Sequence, residues 1–166
     1  MALNFRKLSD KSKILDLKDY LTNWLIENPE DKILISCDSQ NHGKDTEYAR
    51  VIVLRKEGKG GHVLYEKQTF KRKLFGKESG QDYQKLYKEA QLLDELADYI
   101  IENLGRKPDT IVLDYNPDPY YFSNKVLVAT LGWLSQKAKK VVGKPSPYVH
   151  IADRAVKGFR QYAPFS

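Results

Sequence analysis

The sequence predicts an α/β domain: a mixed five-stranded sheet in the chain order βββαβαβα, flanked by helices and preceded by one extra helix. Three observations carry that reading. Two short apolar runs, Ile33-Leu34-Ile35-Ser36-Cys37 and Ile111-Val112-Leu113, have the length and β-branched content of buried strands, and each ends in an aspartate. A glycine-rich link, Gly58-Lys59-Gly60-Gly61, joins two strand-like segments into a hairpin. Beyond it, helix-period and strand-period segments alternate to the end of the chain.

The elements follow in order. Residues 9–27 carry Ile14, Leu17, Leu21, Trp24 and Leu25 at helical spacing and stop at Asn28-Pro29. Residues 32–38, 48–56 and 62–70 read as the first three strands, a meander. Residues 81–104 form a long helix with Leu86, Ala90, Leu93, Ala97, Ile100 and Leu104 on one face; Gly105 closes it and Pro108 lies beyond. A strand at 110–115, a helix from 123 to about 137, a short strand at 140–142 and a helix opening at Ser146-Pro147 complete the order. The right-handed crossover rule lays the fourth strand parallel beside the first, which brings Asp38 and Asp114 to neighbouring strand ends. In open α/β sheets that edge is where sites are built.

Composition bounds the rest. With 166 residues, 41% of them hydrophobic, the chain can bury one substantial core. We divide it into an N-terminal helical extension, residues 1–31, and a domain over 32–166. The lone Cys37 excludes an internal disulfide framework and reads as a small buried strand residue. No apolar run approaches the roughly 20 residues needed to span a bilayer, and the N-terminal residues lack the apolar stretch of a signal peptide. The expectation is a cytoplasmic protein with no membrane partner.

The net charge of +6 is unevenly placed. From Lys137 onward stand Lys139, Lys140, Lys144, Arg154, Lys157 and Arg160 against the single acid Asp153. A second cluster, Lys71-Arg72-Lys73 with Lys77, precedes the long helix. Such clusters keep surfaces soluble, but two of them in a chain of pI ≈ 9.2 point toward a phosphate backbone.

Four carboxylates are the candidate site: Asp38, Glu89, Asp114 and Asp153. At 100° per residue Glu89 falls at the edge of the face bearing Leu93, Leu96 and Ile100, whereas Glu95 points away; Asp82 and Asp94 also fall near that face. Asp153 follows Val149 by four and precedes Val156 by three, beside an apolar stripe. It is either a site residue or an ordinary ion pair with Arg154 or Lys157. His150, one turn earlier, is a proton shuttle or an unremarkable helical histidine. Like-charged groups held close are costly unless a metal or proton lies between them.

This order of elements, with carboxylates on the first strand, the following helix, the fourth strand and the final helix, resembles the ribonuclease H-like superfamily. Within it Asp38-Ser39-Gln40, Asp114-Tyr115-Asn116-Pro117-Asp118 with Ser123-Asn124, and Gly143-Lys144-Pro145 before Ala152-Asp153 resemble the YkuK family of predicted bacterial nucleases. The likeness covers roughly residues 32 to 160. It implies phosphodiester hydrolysis in RNA, DNA or a hybrid by two Mg²⁺ or Mn²⁺ ions about 4 Å apart. Asp38 would bridge the ions, Glu89 and Asp114 would hold one, and Asp153 the other. Ser39, Gln40 and Asn116 would sit at the rim, touching substrate or satisfying turn backbones; Lys71, Arg72, Lys73 and Lys144 would meet phosphates. Tyr120, Tyr121 and Phe122 would stack bases or pack over the sheet.

The rival reading is a binding module on the same fold that does not cut. Four convergent carboxylates would repel a polyanion, so their presence favours catalysis. An ATP-handling role would need glycine-rich loops leading into helices, and the segment from Gly58 to Gly61 is poorly placed for that.

Overall fold

The computed structural model describes residues 3–56, 58–71, 78–113 and 132–142. They build a mixed sheet of six strands with helices packed on it: β1 (Arg6–Lys7), α1 (Leu17–Glu27), β2 (Lys32–His42), β3 (Asp45–Arg55), β4 (Gly61–Lys71), α2 (Glu78–Leu104), β5 (Thr110–Leu113) and β6 (Lys140–Val142). The sheet order is β1-β4-β3-β2-β5-β6. β2, β3 and β4 are an antiparallel meander, and β5 and β6 continue the sheet in parallel from β2. This is the expected mixed sheet, with a sixth strand added at its edge.

Three boundaries differ markedly from the sequence expectations. β2 does not stop at Asp38 but runs to His42, because the polar stretch Ser39 to His42 pairs residue for residue with β3 as far as Asp45. A two-residue turn closes that hairpin, with Gly43 at φ 59, a conformation glycine adopts without strain. The first helix begins at Leu17 rather than residue 9. Asp16 caps it by accepting from the Asp19 amide at 3.1 Å, while the preceding residues turn back so that Arg6 and Lys7 pair with Tyr65 and Leu64. The helix expected to reach about residue 137 ends at Leu134. The link from Gly58 to Gly61 is the β3–β4 connection, with Arg55 opposite Gly61 and Gly58 at φ 75.

The pleat sorts the core into two faces. Ile33, Ile35 and Cys37 from β2, Ile52 and Leu54 from β3, and Leu64 from β4 pack with α1 and α2 through Leu17, Leu21, Leu93, Leu96 and Ile100. Leu34, Val51, Val53, Val63, Tyr65 and Val112 form a smaller buried cluster on the opposite face. Phe5 and Ile14 join the larger cluster, so the segment before β2 shares the core of the sheet. α1 is further tied to β4 by a stack of Trp24 on His62, with centroids 4.3 Å apart, and by a 2.5 Å hydrogen bond between the Tyr20 hydroxyl and His62 Nε2. Burial, with help from Lys7, holds His62 below its ordinary pKa.

α2 ends as its sequence predicts: Gly105, at φ 68, donates to the Ile101 carbonyl at 3.0 Å. Among the described residues no helix is long and apolar enough to cross a membrane.

Candidate active site

Asp38 lies one residue beyond the last pair of the parallel β2–β5 ladder, Cys37 opposite Leu113. Up to that pair β2 is flanked on both sides; beyond it the ladder continues only with β3 among the described residues. Two successive pleat positions matter here. Cys37 and Ser39 point to the α2 face and Asp38 to the other, next to the place where β5 gives out.

α2 supplies the second carboxylate. Glu89, Leu92, Leu93, Leu96, Ala97 and Ile100 are all buried, and their spacing is that of one helix face, so the apolar contacts that dock α2 also carry Glu89 down to the sheet. Asp38 and Glu89 are each only 6% exposed. One residue links them. The Ser39 amide donates to Asp38 Oδ1 at 2.8 Å, and the Ser39 hydroxyl donates to Glu89 Oε1 at 2.6 Å. A serine in this place presents two donors, one from backbone and one from side chain, to two acids on different elements.

Both carboxylates act on Cys37. Burial pushes the Cys37 thiol well up, and the nearby Glu89 and Asp38 carboxylates push it further, while Arg50 opposes them. Cys37 is buried and neutral, as its sequence context implies. Tyr48, opposite Ser39 on β3, is raised by burial and then by Glu89, so its phenol stays a hydrogen-bonding group at any ordinary pH. Tyr48 meets Phe70 edge to face at 5.7 Å, and Lys88 sits over the Phe70 ring at 4.1 Å.

The other sequence-predicted residues divide as follows. Gln40 follows on β2, partly buried, with its Oε1 lacking a hydrogen-bond partner. Lys71 ends β4 and is exposed, four residues from Lys67, which lies level with Asp38 across β3; that is roughly 13 Å along the strand. Lys71 therefore stands near the hairpin tip, away from the two acids. Asp114, Asn116, Asp153, Arg72, Lys73, Lys144 and the Tyr120–Tyr121–Phe122 cluster lie outside the described residues, as does His150. Among the described residues no group of three or more His, Cys, Asp or Glu side chains converges as a metal cage.

Sequence reasoning missed Arg50 altogether. It is 1% exposed on β3 and forms an ion pair with Glu66, itself 2% exposed. Arg50 also donates to the Leu92 carbonyl of α2 at 3.1 Å and reaches Glu95 at 3.5 Å. A lone arginine inside the run from Tyr48 to Leu54, with a glutamate directly across the predicted hairpin, was the available signal.

Three solved structures resemble the chain at low identity. RNase H1 from the halophilic archaeon Halobacterium salinarum NRC-1 aligns with TM-score 0.39 and 16% identity over 74% of this chain and 90% of that one. Ciona intestinalis endonuclease V, in complex with a 24mer DNA containing an inosine followed by a ribo-adenosine, aligns with TM-score 0.41 and 11% identity over 76% and 58%. LC11-RNase H1 in complex with an RNA/DNA hybrid aligns with TM-score 0.38 and 13% identity over 76% and 94%. No curated protein matches. The family described as Ribonuclease H-like matches residues 16–157, from the cap of α1 through β6 and beyond, and on that match the chain belongs to the ribonuclease H-like family.

Proposed function

We propose that the protein is a metal-dependent nuclease of the YkuK type, hydrolysing phosphodiester bonds in RNA, DNA or a hybrid. The observation that carries this reading is the pair of buried acids, Asp38 and Glu89, drawn onto the two donors of Ser39 beside the end of the β2–β5 ladder in a ribonuclease H-like chain. The donor set fits a hard cation such as Mg²⁺ or Mn²⁺, which takes carboxylate oxygens. Asp38 and Glu89 would hold it, with Asp114 and Asp153 assigned to the same centre from their places in the sequence. When bound, a pair of such ions activates water and stabilises the leaving oxygen.

The chain's own contribution is positioning. Ser39 fixes the rotamers of both acids, and burial keeps them from relaxing into solvent. The lysine-rich segments would supply the long-range attraction that brings a polyanion to a negatively charged centre. Neutralising Lys71, Arg72 and Lys73 together should then flatten the dependence of nucleic-acid binding on salt, measured by fluorescence anisotropy; an unchanged slope would remove this cluster from the footprint.

The deciding experiment offers single-stranded, duplex, hybrid and branched substrates with Mn²⁺ or Mg²⁺, and again with EDTA. Cleavage of one class with metal, none with EDTA, and loss of cleavage in Asp38→Asn is the expected result. If every substrate survives and Asp38→Asn binds Mn²⁺ as the parent does, the reading gives way to a non-cutting binding module.

A further inference from the structure

We infer that Arg50, gripped by Glu66, is a positioning residue that sets the height of α2 on the sheet and so delivers Glu89 to Ser39. The functional meaning of this inference rests on the role proposed above for Glu89, but its geometry does not.

α2 rests on β2 and β3 mainly through aliphatic side chains: Ile35 and Ile52 below, Leu93, Leu96 and Ile100 above, in one core cluster. Such contacts are strong but not directional, and they tolerate a small slide far better than a hydrogen bond does. A slide of one residue moves the helix by about 1.5 Å, enough to break the 2.6 Å contact between Ser39 and Glu89. Something directional has to fix the register. Arg50 Nη1 donates to the carbonyl of Leu92, which lies three residues and about one turn from Glu89 on the same face.

The pin is itself held. Arg50 Nε donates to Glu66 Oε1 at 3.0 Å and its Nη2 donates to the same oxygen. Glu66 Oε2 accepts from the Asn4 amide at 2.5 Å, and Gln68 Nε2 adds a 3.0 Å bond to Oε1. Cys37, Arg50 and Glu66 are one cross-strand row; Ser39, Tyr48 and Gln68 are the next row on the same face, about 6.6 Å further along. The brace and the site are thus adjacent rungs, and both reach the same helix within one turn.

Energetics argue that the brace is there for geometry. Taking both charges out of water costs several kcal/mol per ion, and a well-packed apolar pair of similar volume is often as stable or more so. A core that needed only cohesion at this rung would have no use for a guanidinium. What an apolar pair cannot supply is a directed bond to one carbonyl of α2.

The test is a metal-free double-mutant cycle on the full chain, read by thermal melting. Ser39→Ala removes the contact with Glu89; Arg50→Lys keeps the charge and loses the fork that spans Glu66 and Leu92. If Arg50 positions Glu89, the melting-temperature loss caused by Ser39→Ala shrinks by at least half in the Arg50→Lys background. Equal losses in both backgrounds overturn the inference and leave Arg50 as packing. Should Arg50→Lys not fold, Glu66→Gln serves in its place, since glutamine keeps the volume and an acceptor for the guanidinium. In the parent's Mn²⁺-dependent cleavage, Arg50→Lys is expected to lower kcat about 10- to 100-fold with KM for substrate unchanged, and an unchanged kcat also overturns it. A parent that cleaves nothing defeats the nuclease reading, while the metal-free cycle still decides the role of Arg50.

Discussion

The two ends of β2 use buried carboxylates in opposite ways. At the Ile33 end, Asp109 Oδ2 accepts from the Ile33 amide at 2.8 Å and from Arg106 at 2.9 Å, and Oδ1 pairs with Lys139 at 3.1 Å. Burial alone would raise its pKa, yet the amide and the two cations together bring it below the ordinary value. At the Ser39 end, Asp38 and Glu89, no more exposed than Asp109, each accept from Ser39, Asp38 from its amide and Glu89 from its hydroxyl. The first arrangement consumes a negative charge inside the protein and fastens the start of β2 to the loop before β5. The second ties an acid on each face of the sheet to one serine, where the β5 ladder stops. Burial is similar, so burial does not distinguish a structural acid from a candidate ligand; what marks Asp109 as structural is the Ile33 amide and the two cations it holds.

The contrast is tested most sharply by removing one charge from each end. Asp38→Asn should lower turnover on the order of a thousandfold or more while the metal-free melt stays unchanged or rises, because an amide removes a buried negative charge at nearly constant size. A clear drop in the melt would place Asp38 with the structural acids. Ser39→Ala should act at the same end with a smaller effect, about 10- to 100-fold in Mn²⁺ affinity or activity, since it frees both acids without deleting either. Isothermal titration with Mn²⁺ reads the first and steady-state kinetics the second.

Asp109→Ala should behave in reverse. It orphans the buried Ile33 amide, which costs about 1–3 kcal/mol of stability in urea titration, and leaves the activity of the folded fraction as it was. A loss of activity per folded molecule would show that the two ends are coupled through β2 and that the contrast between them is too simple.

How much of this was legible from the residues depends on whether the signal was apolar or polar. The strand cores, the hairpin at Gly58 to Gly61, β6 at its two bounds and the parallel placement of β5 beside β2 all follow from apolar runs and crossover handedness. The burial of Glu89 was legible because it falls at the edge of the apolar face of its helix. The continuation of β2 through Ser39, Gln40, Asn41 and His42 was not, because a polar stretch becomes a strand only when β3 folds back on it. β1 is two residues long and leaves no periodicity to read. The first helix starts late because Asp16 competes as a cap, and Leu8 is held by the Val63 carbonyl rather than by a helical partner. Arg50 was invisible for a different reason: its meaning depends on Glu66 and Leu92, sixteen and forty-two residues away.

The smallest predicted effect is also the most specific to the comparison. Because the folded-state pKa of Asp109 lies below its ordinary 3.8, the carboxylate contributes stability that is fully present above the unfolded value and lost as pH falls through the folded one. Asp109→Asn removes that contribution while keeping size. Parent and variant should therefore differ most well above the ordinary 3.8, and the gap in urea midpoint should narrow as the pH is taken below it and the parent's carboxyl is itself neutralised. The sign follows from proton counting: in that window the unfolded chain binds more protons at this residue than the folded one does, so acid favours unfolding through residue 109 in the parent and not in the variant. A gap that stays constant with pH would mean that Asp109 stabilises β2 by shape and hydrogen bonding and not by charge. The two ends of the strand would then differ in the placement of their acids, and no longer in how each end disposes of the charge.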